Sequence, residues 1–168
     1  MIVGRFLLAD AEATERLGAA LALALDSRAG RVVPLEGELG AGKTTLARGW
    51  LRALGAAGPI RSPTYTLVEP YRLARHELLH MDLYRLETTD EFEGLGLDDH
   101  SPQQCWWLVE WPERGGAGVP AADLTIRLYM HDSMRKIELD AVAGVAALLT
   151  PILVAWPPAF VETLTSSQ

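Results

Sequence analysis

The residues best suited to chemistry form a glycine-rich segment in the first third of the chain. Residues 37–44 read Gly-Glu-Leu-Gly-Ala-Gly-Lys-Thr and match the pattern G-x-x-x-x-G-K-[ST] at every fixed position. Glycines let the backbone approach a ligand closely, so that successive N–H groups line a concavity for an anion. A helix beginning near Lys43 would add the positive end of its dipole. The pattern predicts a loop that binds nucleotide phosphates, since chance produces it in roughly one of two hundred chains of this length.

Lys43 and Thr44 have separate tasks in such a loop. We expect the ammonium of Lys43 to reach the β- and γ-phosphates, and the hydroxyl of Thr44 to take one position on Mg²⁺. Lysine usage supports this interpretation, because thirteen of the fifteen basic residues are Arg and only two are Lys, at positions 43 and 136. One of the two lysines therefore stands where a compact ammonium is needed and a planar guanidinium would fit badly.

Two apolar runs end in an acid, and phosphoryl transfer or hydrolysis needs an acid near the γ-phosphate. Residues 78–82 end in Asp82, and residues 106–110 end in Glu110. Either acid alone could mark a plain strand terminus. Two such acids in one small domain with a phosphate loop favour a catalytic or metal-binding role for at least one of them.

Other residues give weaker signals. Residues 62–66, Ser-Pro-Thr-Tyr-Thr, are typical of a turn that enters a strand, or of a switch segment whose hydroxyls sense the γ-phosphate. His80 points the same way as Asp82 on an alternating strand, and we interpret it as structural. Trp106 and Trp107 are expected to be the core and the surface residue of one strand.

Apolar periodicity and turn residues predict an α/β fold. Predicted strands cover residues 5–9, 31–36, 64–73, 77–83, 104–111, 123–131 and 134–140, and predicted helices cover 10–25, 43–54, 88–94 and the stretch from 142. A strand, a glycine turn, a helix and later buried strands favour a three-layer sandwich with a mixed central sheet and added antiparallel hairpins. Pro34 is unusual for a central strand, because proline cannot donate to the ladder.

Composition limits the classes of protein that fit. The 168 residues predict one domain, 1–168, with an irregular tail after about residue 150. A net charge of −7 argues against a protein that coats nucleic acid or an anionic membrane. Cys105 is the only cysteine, so no intrachain disulfide can form, and it is expected to be a small core residue. Residues 141–161 carry no charge, but prolines interrupt them, which favours a packed helix over a membrane anchor.

Four segments, in this order, resemble the TsaE family, also called YjeE, of small bacterial P-loop ATPases. They are Gly-Glu-Leu-Gly-Ala-Gly-Lys-Thr-Thr at 37–45, Ser-Pro-Thr-Tyr-Thr-Leu-Val-Glu at 62–69, His-Met-Asp-Leu-Tyr-Arg-Leu at 80–86 and Leu-Val-Glu-Trp-Pro-Glu at 108–113. The first segment is shared by many nucleotide-binding proteins, and the other three are specific to this family. The resemblance extends from about Leu8 to Ala141.

The resemblance implies a role in forming threonylcarbamoyladenosine, the modified base beside the anticodon of tRNAs that read ANN codons. Members of the family bind and hydrolyse ATP and act with the proteins TsaB and TsaD. Contact with tRNA would then be indirect, through that complex, and no membrane would be involved. The single cysteine fits the reducing conditions of a cytoplasmic pathway.

The resemblance also implies roles for individual residues. Catalysis would involve Lys43, Asp82 and Glu110, and Mg²⁺ would be coordinated by Thr44 and Glu110. The nucleotide would contact the loop residues Gly40, Ala41, Gly42, Lys43, Thr44 and Thr45. Residues 10–14 would lie near the adenine, and Ala11, where the family often has an acid, would contribute only its backbone. Trp111 and residues 62–66 would lie close to the nucleotide or to a partner surface.

Two other functions fit the same loop. A small-molecule or nucleotide kinase would need an acceptor pocket and an Arg-bearing lid, for which Arg72, Arg75 and Arg85 are candidates, although no long lid insertion is present. A non-catalytic module would use nucleotide binding alone to set its affinity for a partner. A GTPase is disfavoured, because the chain contains no Asn and neither lysine begins a Lys-x-Asp triplet.

Overall fold

The computed structural model describes residues 1–27 and 29–156. Apolar runs form seven strands, β1 Ile2–Leu8, β2 Arg31–Glu36, β3 Val68–Arg72, β4 Glu77–Asp82, β5 Cys105–Glu110, β6 Leu124–His131 and β7 Met134–Ala141. The helices are α1 Ala11–Ala24, α2 Lys43–Ala53, α3 Asp90–Glu93 and α4 Ala143–Ala155, with 3-10 turns at Pro112–Arg114 and Gly116–Gly118. The predicted strands and helices are present with small shifts at their ends. The largest difference is at residues 64–66, which form a turn and not the start of β3.

The seven strands form one mixed sheet in the order β1-β7-β6-β2-β5-β4-β3. The inner strands β6, β2, β5 and β4 run parallel, whereas β1, β7 and β3 pair antiparallel with their neighbours. The predicted mixed sheet with added hairpins is therefore confirmed. Because the carboxyl ends of parallel strands meet at one edge of the sheet, the glycine loop after β2 lies beside the ends of β4 and β5.

Pro34 lies in the central strand β2 without breaking its ladder. The N–H of Val32 donates to Asp123 Oδ2 at 2.8 Å, and the carbonyl of Val32 accepts the N–H of Asp123. The backbone N–H and carbonyl of Val32 therefore point toward β6, and the backbone nitrogen of Pro34, two residues later, points the same way. The ladder between β2 and β6 begins only at Leu35, so the missing N–H of Pro34 falls outside it.

The two faces of the sheet build two separate hydrophobic cores, as expected when parallel strands are covered on both sides. The larger core lies under α1, α2 and α4 and includes Leu35 and Trp106. The smaller core includes Val32, Phe92 and Trp107. Trp107 is only 5% exposed, and its ring centroid lies 6.4 Å from that of Phe92 in α3. The expectation that Trp107 is the surface residue of its strand was therefore wrong, because α3 covers this face.

Helices α1 and α2 pack closely because glycines lie at their contact. A Cβ atom on Gly18 would lie 2.2 Å from the carbonyl oxygen of Leu46, and one on Gly49 would lie 2.0 Å from that of Glu15. The side chain of Glu15 also pairs with Arg48 across the same contact, at 3.0 Å. Because α2 begins directly after the glycine loop, the packing of α2 against α1 also fixes the position where the loop ends.

The final helix packs on the first core through Val145 and Leu149. The prediction of a packed helix is confirmed, and the helix extends to Ala155, beyond the residue near 150 where an irregular tail was expected. Residues 157–168, the rest of that tail, lie outside the described residues. In the described part of the chain, no helix combines the length and the apolar character that crossing a membrane requires.

Candidate functional site

The loop between β2 and α2 adopts backbone angles that glycine alone adopts easily. The φ angles are 147° at Gly37, 80° at Gly40 and 103° at Gly42. At Gly37 a side chain is also excluded by space, because a Cβ would lie 2.4 Å from the carbonyl oxygen of Leu128. Gly42 caps α2 without a side-chain hydrogen bond, so the first N–H groups of the helix stay open to an anion.

The ammonium of Lys43 is held inside this loop. Its Nζ donates to the carbonyls of Gly37 at 2.6 Å and Glu38 at 2.9 Å, and lies 3.9 Å from the ring centroid of Trp111. Burial lowers the pKa of Lys43 from the ordinary value of 10.5, and nearby carboxylates oppose this shift, those of Glu110, Asp82 and Glu113. The loop therefore concentrates positive charge where the glycines leave room for an anion.

Trp111 reaches Lys43 because the chain turns sharply where β5 ends. Its φ angle is 57°, in the left-handed region that non-glycine residues seldom adopt. The turn brings the indole ring over the ammonium of Lys43, and the ring of Tyr84 packs against the indole at 4.9 Å between centroids. Trp111 therefore lies beside the glycine loop, and its closeness to a nucleotide or to a partner surface stays a prediction.

Thr44 and Glu110 meet across the junction of α2 and β5. The hydroxyl of Thr44 lies 3.0 Å from Oε1 and 2.9 Å from Oε2 of Glu110. An octahedral Mg²⁺ site with bonds of about 2.1 Å holds neighbouring ligand oxygens roughly 3 Å apart. The spacing is that of an ordinary hydrogen bond, and it is also compatible with the hydroxyl and the carboxylate being neighbouring ligands of one Mg²⁺.

Asp82 lies beside Glu110, because the two acids are register partners at the ends of β4 and β5. Its Oδ2 accepts the hydroxyl of Thr64 at 2.7 Å and also the hydroxyl of Ser62. Its Oδ1 accepts the backbone N–H of Tyr84 at 3.1 Å. Two hydroxyls of residues 62–66 thus contact an acid of the site, and the role of the segment as a switch stays a prediction.

His80 has a contact that the sequence interpretation missed. It is fully buried, and its Nε2 lies 2.8 Å from Oε1 of Glu110. Only part of the signal was present in the sequence. Alternation puts His80 and Asp82 on one face of β4, but the register that places Glu110 beside that face is a property of the folded sheet. His80 therefore belongs to the site as well as to the core.

The predicted site residues line two adjoining cavities at the carboxyl edge of the sheet. The first, of about 280 Å³, is lined by Gly40, Gly42, Lys43, Thr44, Thr45, Asp82 and Glu110, together with Leu39, Ser62, Thr64 and Trp111. The second, of about 100 Å³, shares Gly40, Gly42 and Thr45 and adds Asp10, Ala11, Thr14, Ser133 and Arg135. Ala41 is buried beneath the loop and could contact a ligand only through its backbone.

Ser133 and Arg135, at the turn and start of β7, are the other site residues that sequence reasoning missed. Arg135 Nη2 lies 3.5 Å from the carbonyl oxygen of Gly40, so its guanidinium borders the second cavity. These residues reach the loop only because β6 lies next to β2, an adjacency that the hairpin sequence by itself does not predict.

The fold and the site define a class, the α/β proteins that hold a glycine-rich loop between a central parallel strand and a helix. The comparisons with known proteins then identify the family. The family model described as "Threonylcarbamoyl adenosine biosynthesis protein TsaE" matches residues 8–137. This chain therefore belongs to the TsaE family.

Individual relatives agree with the family model. The chain is 43% identical over 123 residues to the "tRNA threonylcarbamoyladenosine biosynthesis protein TsaE" of Haemophilus influenzae, covering 73% of this chain and 78% of that protein. It is 39% identical over 136 residues to the protein of the same name in Bacillus subtilis, covering 80% and 82%. The crystal structure of Bacillus subtilis YdiB is similar with a TM-score of 0.72 and 31% identity, covering 92% of this chain and 96% of that one.

Proposed function

We propose that this chain binds and hydrolyses ATP in the formation of threonylcarbamoyladenosine in tRNA. The ATPase assignment rests on one observation. The Thr44 hydroxyl lies within hydrogen-bond distance of the Glu110 carboxylate, and the ammonium of Lys43 is held in the glycine loop beside them. The link to tRNA modification rests on family membership and on the names of the curated relatives.

Each polar group of the larger cavity has a task in this proposal. The open N–H groups of the loop and the ammonium of Lys43 would bind the β- and γ-phosphates. Thr44 and Glu110 would hold Mg²⁺, which when bound neutralises charge on the phosphates. Asp82, oriented by the hydroxyls of Ser62 and Thr64, would position the attacking water.

The smaller cavity would take the adenine. It adjoins the phosphate loop through Gly40 and Gly42 and is bordered by the start of α1 at Asp10 and Ala11. The side chain of Ala11 offers no polar group, so any hydrogen bond there would come from the backbone. The chain also lacks the Lys-x-Asp triplet typical of guanine readers, which favours ATP over GTP.

The direct test is phosphate release from labelled ATP, with GTP and candidate acceptor molecules compared in parallel. We expect free phosphate to form, to require Mg²⁺ and to be much slower with GTP. Glu110→Gln is the matched variant, because it keeps the shape of the side chain and removes the carboxylate. Label that appears on an acceptor instead of as free phosphate would overturn the ATPase assignment.

We further propose that the chain acts with TsaB- and TsaD-like proteins, which would carry the remaining chemistry. A net charge of −7 suits a subunit that meets tRNA only indirectly, through protein partners. Adding a TsaB–TsaD complex should stimulate phosphate release strongly, whereas tRNA alone should not. Equal rates with and without the complex would contradict this partnership.

A kinase with an Arg-bearing lid has less support. Arg75 pairs with Asp26 at 3.2 Å near the start of β4, at the opposite end of the strand from Asp82. Arg72 is paired in register with Glu77 at the same end. Arg85 packs over the ring of Tyr65, 5.2 Å from its centroid, and is the one candidate of the three that lies near the site.

A further inference from the structure

His80 is hydrogen-bonded to Glu110, the candidate metal-binding acid. It lies on β4 two residues before Asp82 and is fully buried. Its Nε2 is 2.8 Å from Oε1 of Glu110, the oxygen that also lies 3.0 Å from the Thr44 hydroxyl. Glu110 itself is almost fully buried. The carboxylate of Glu110 is therefore held between the buried imidazole of His80 and the hydroxyl of Thr44 at the cavity.

The hydrogen-bonding capacity of the imidazole fixes the direction of this bond. A carboxylate that binds Mg²⁺ only accepts hydrogen bonds, so in that role of Glu110 the Nε2 of His80 donates. The other ring nitrogen, Nδ1, is buried and has no hydrogen-bond partner among the described residues. A proton on Nδ1 would be a buried donor without an acceptor, so the geometry fits the tautomer with its proton on Nε2.

We propose that His80 is a positioning residue that orients the Glu110 carboxylate for Mg²⁺. This inference rests on the proposed function, because it assigns a partner to the proposed metal site. The bond from Nε2 occupies one lone pair of Oε1 and prevents the carboxylate from rotating. The remaining lone pairs then face Thr44 and the cavity, where a metal ligand is needed. Groups behind a metal ligand commonly change metal affinity by about 10–100-fold when they are removed.

Substitutions at position 80 can separate positioning from core filling. His80→Gln keeps an N–H donor where Nε2 stands, whereas the amide of His80→Asn ends near the position of Nδ1. His80→Leu fills similar volume without any donor. Leu78→Ala is the matched control, because Leu78 is buried on the same face of β4 and is paired in register with Trp106, four residues before Glu110. It should destabilise the fold by leaving a cavity, with no effect on metal affinity.

The measurement is the affinity for a non-hydrolysable ATP analogue by calorimetry, with Mg²⁺ titrated and with chelator present. In the Leu and Asn variants we expect the Mg²⁺ concentration for half-maximal tightening to rise about 10–100-fold. Affinity in chelator should not change, because the loop and Lys43 are intact. The Gln variant should stay close to the unaltered protein, and Leu78→Ala should match it fully in Mg²⁺ dependence.

Two outcomes would overturn the inference, and they have different meanings. If the unaltered chain shows Mg²⁺-dependent binding and the Leu and Asn variants share its Mg²⁺ dependence, His80 is only a core residue. If the unaltered chain shows no Mg²⁺-dependent nucleotide binding, the proposed function fails and the inference fails with it. Should His80→Leu not fold, the comparison of Gln with Asn gives the same decision.

Discussion

Thr44 and Glu110 lie 66 residues apart in the sequence, yet one hydroxyl lies within 3.0 Å of both oxygens of the carboxylate. The contact joins the first turn of α2 to the end of β5. The glycine contact with α1 fixes α2, and ladders with β2 and β4 fix β5. Both groups therefore stand on rigid elements before any ligand binds, which reduces the cost of assembling a metal site.

Replacing Glu110 or Asp82 with Ala should abolish turnover, while the binding of nucleotide to the loop, measured with chelator present, survives. The loop N–H groups and Lys43 remain in both variants, so the ground-state contacts to the phosphates are kept. Loss of a charged group that acts on the transition state commonly lowers kcat by about 100-fold or more. Phosphate release measures turnover, and calorimetry measures binding. Glu113→Ala is the control, because this acid lies near Lys43 but does not line the cavity of about 280 Å³ that holds Thr44, Asp82 and Glu110. Unchanged turnover in both variants would refute the assignment of the acids.

Nucleotide binding should weaken as the pH rises and Lys43 loses its proton. This should begin at a lower pH than it would for a lysine with an ordinary pKa. Burial lowers the pKa of Lys43 from 10.5, so the folded chain releases this proton at a lower pH than the unfolded chain. Between the two values the unfolded chain binds more protons, and this group makes the free energy of unfolding rise with pH. Nucleotide affinity moves in the opposite direction, because the loop loses its positive charge.

Affinity for an ATP analogue, measured from about pH 7 to about pH 10, checks this behaviour. In Lys43→Arg the guanidinium keeps its charge throughout that range. The Arg variant should bind more weakly at neutral pH, because the planar group fits the loop badly, and should show a smaller alkaline decline. Equal alkaline declines in the two proteins would argue against Lys43 as their source.

The convergence of the site residues was predictable from the sequence, because its causes are local. The glycine pattern predicts the loop, and the two apolar runs that end in an acid indicate Asp82 and Glu110 as site residues. Parallel strands place their carboxyl ends together, so neighbouring strands bring these acids to the loop. The element boundaries were predictable within a few residues for the same reason, since capping residues such as Asp10 and turn glycines act locally.

Features that depend on pairing partners were not predictable. Trp107 is buried because α3 packs on the second face of the sheet. The sequence of β5 itself does not indicate that a helix covers this face. Pro34 is tolerated because the β6 ladder starts one residue later. The bond from His80 to Glu110 depends on the register between β4 and β5, since a shift of one residue would turn His80 to the other face.

Gly49→Ala should destabilise the fold by separating α1 from α2. The added Cβ would lie 2.0 Å from a backbone oxygen of Glu15, which cannot move aside without shifting the helix. Overpacking of this kind costs about 1–3 kcal/mol in the free energy of unfolding. Gly144→Ala, in the exposed first turn of α4, is the control, because nothing lies within 4 Å of its Cβ. Urea unfolding measures both variants, and equal stabilities would contradict the tight helix contact.

Cys105 should react with thiol reagents only when the chain opens. It is 2% exposed, and burial raises the pKa of its thiol to about 11, so at about pH 8 very little reactive thiolate is present. Labelling with a chromogenic disulfide should be slow in the folded chain and fast in urea. Because the open fraction grows about 5-fold for each kcal/mol of lost stability, Gly49→Ala should label faster and Gly144→Ala should not. Rapid, complete labelling of the unaltered folded chain would contradict the buried position of this thiol.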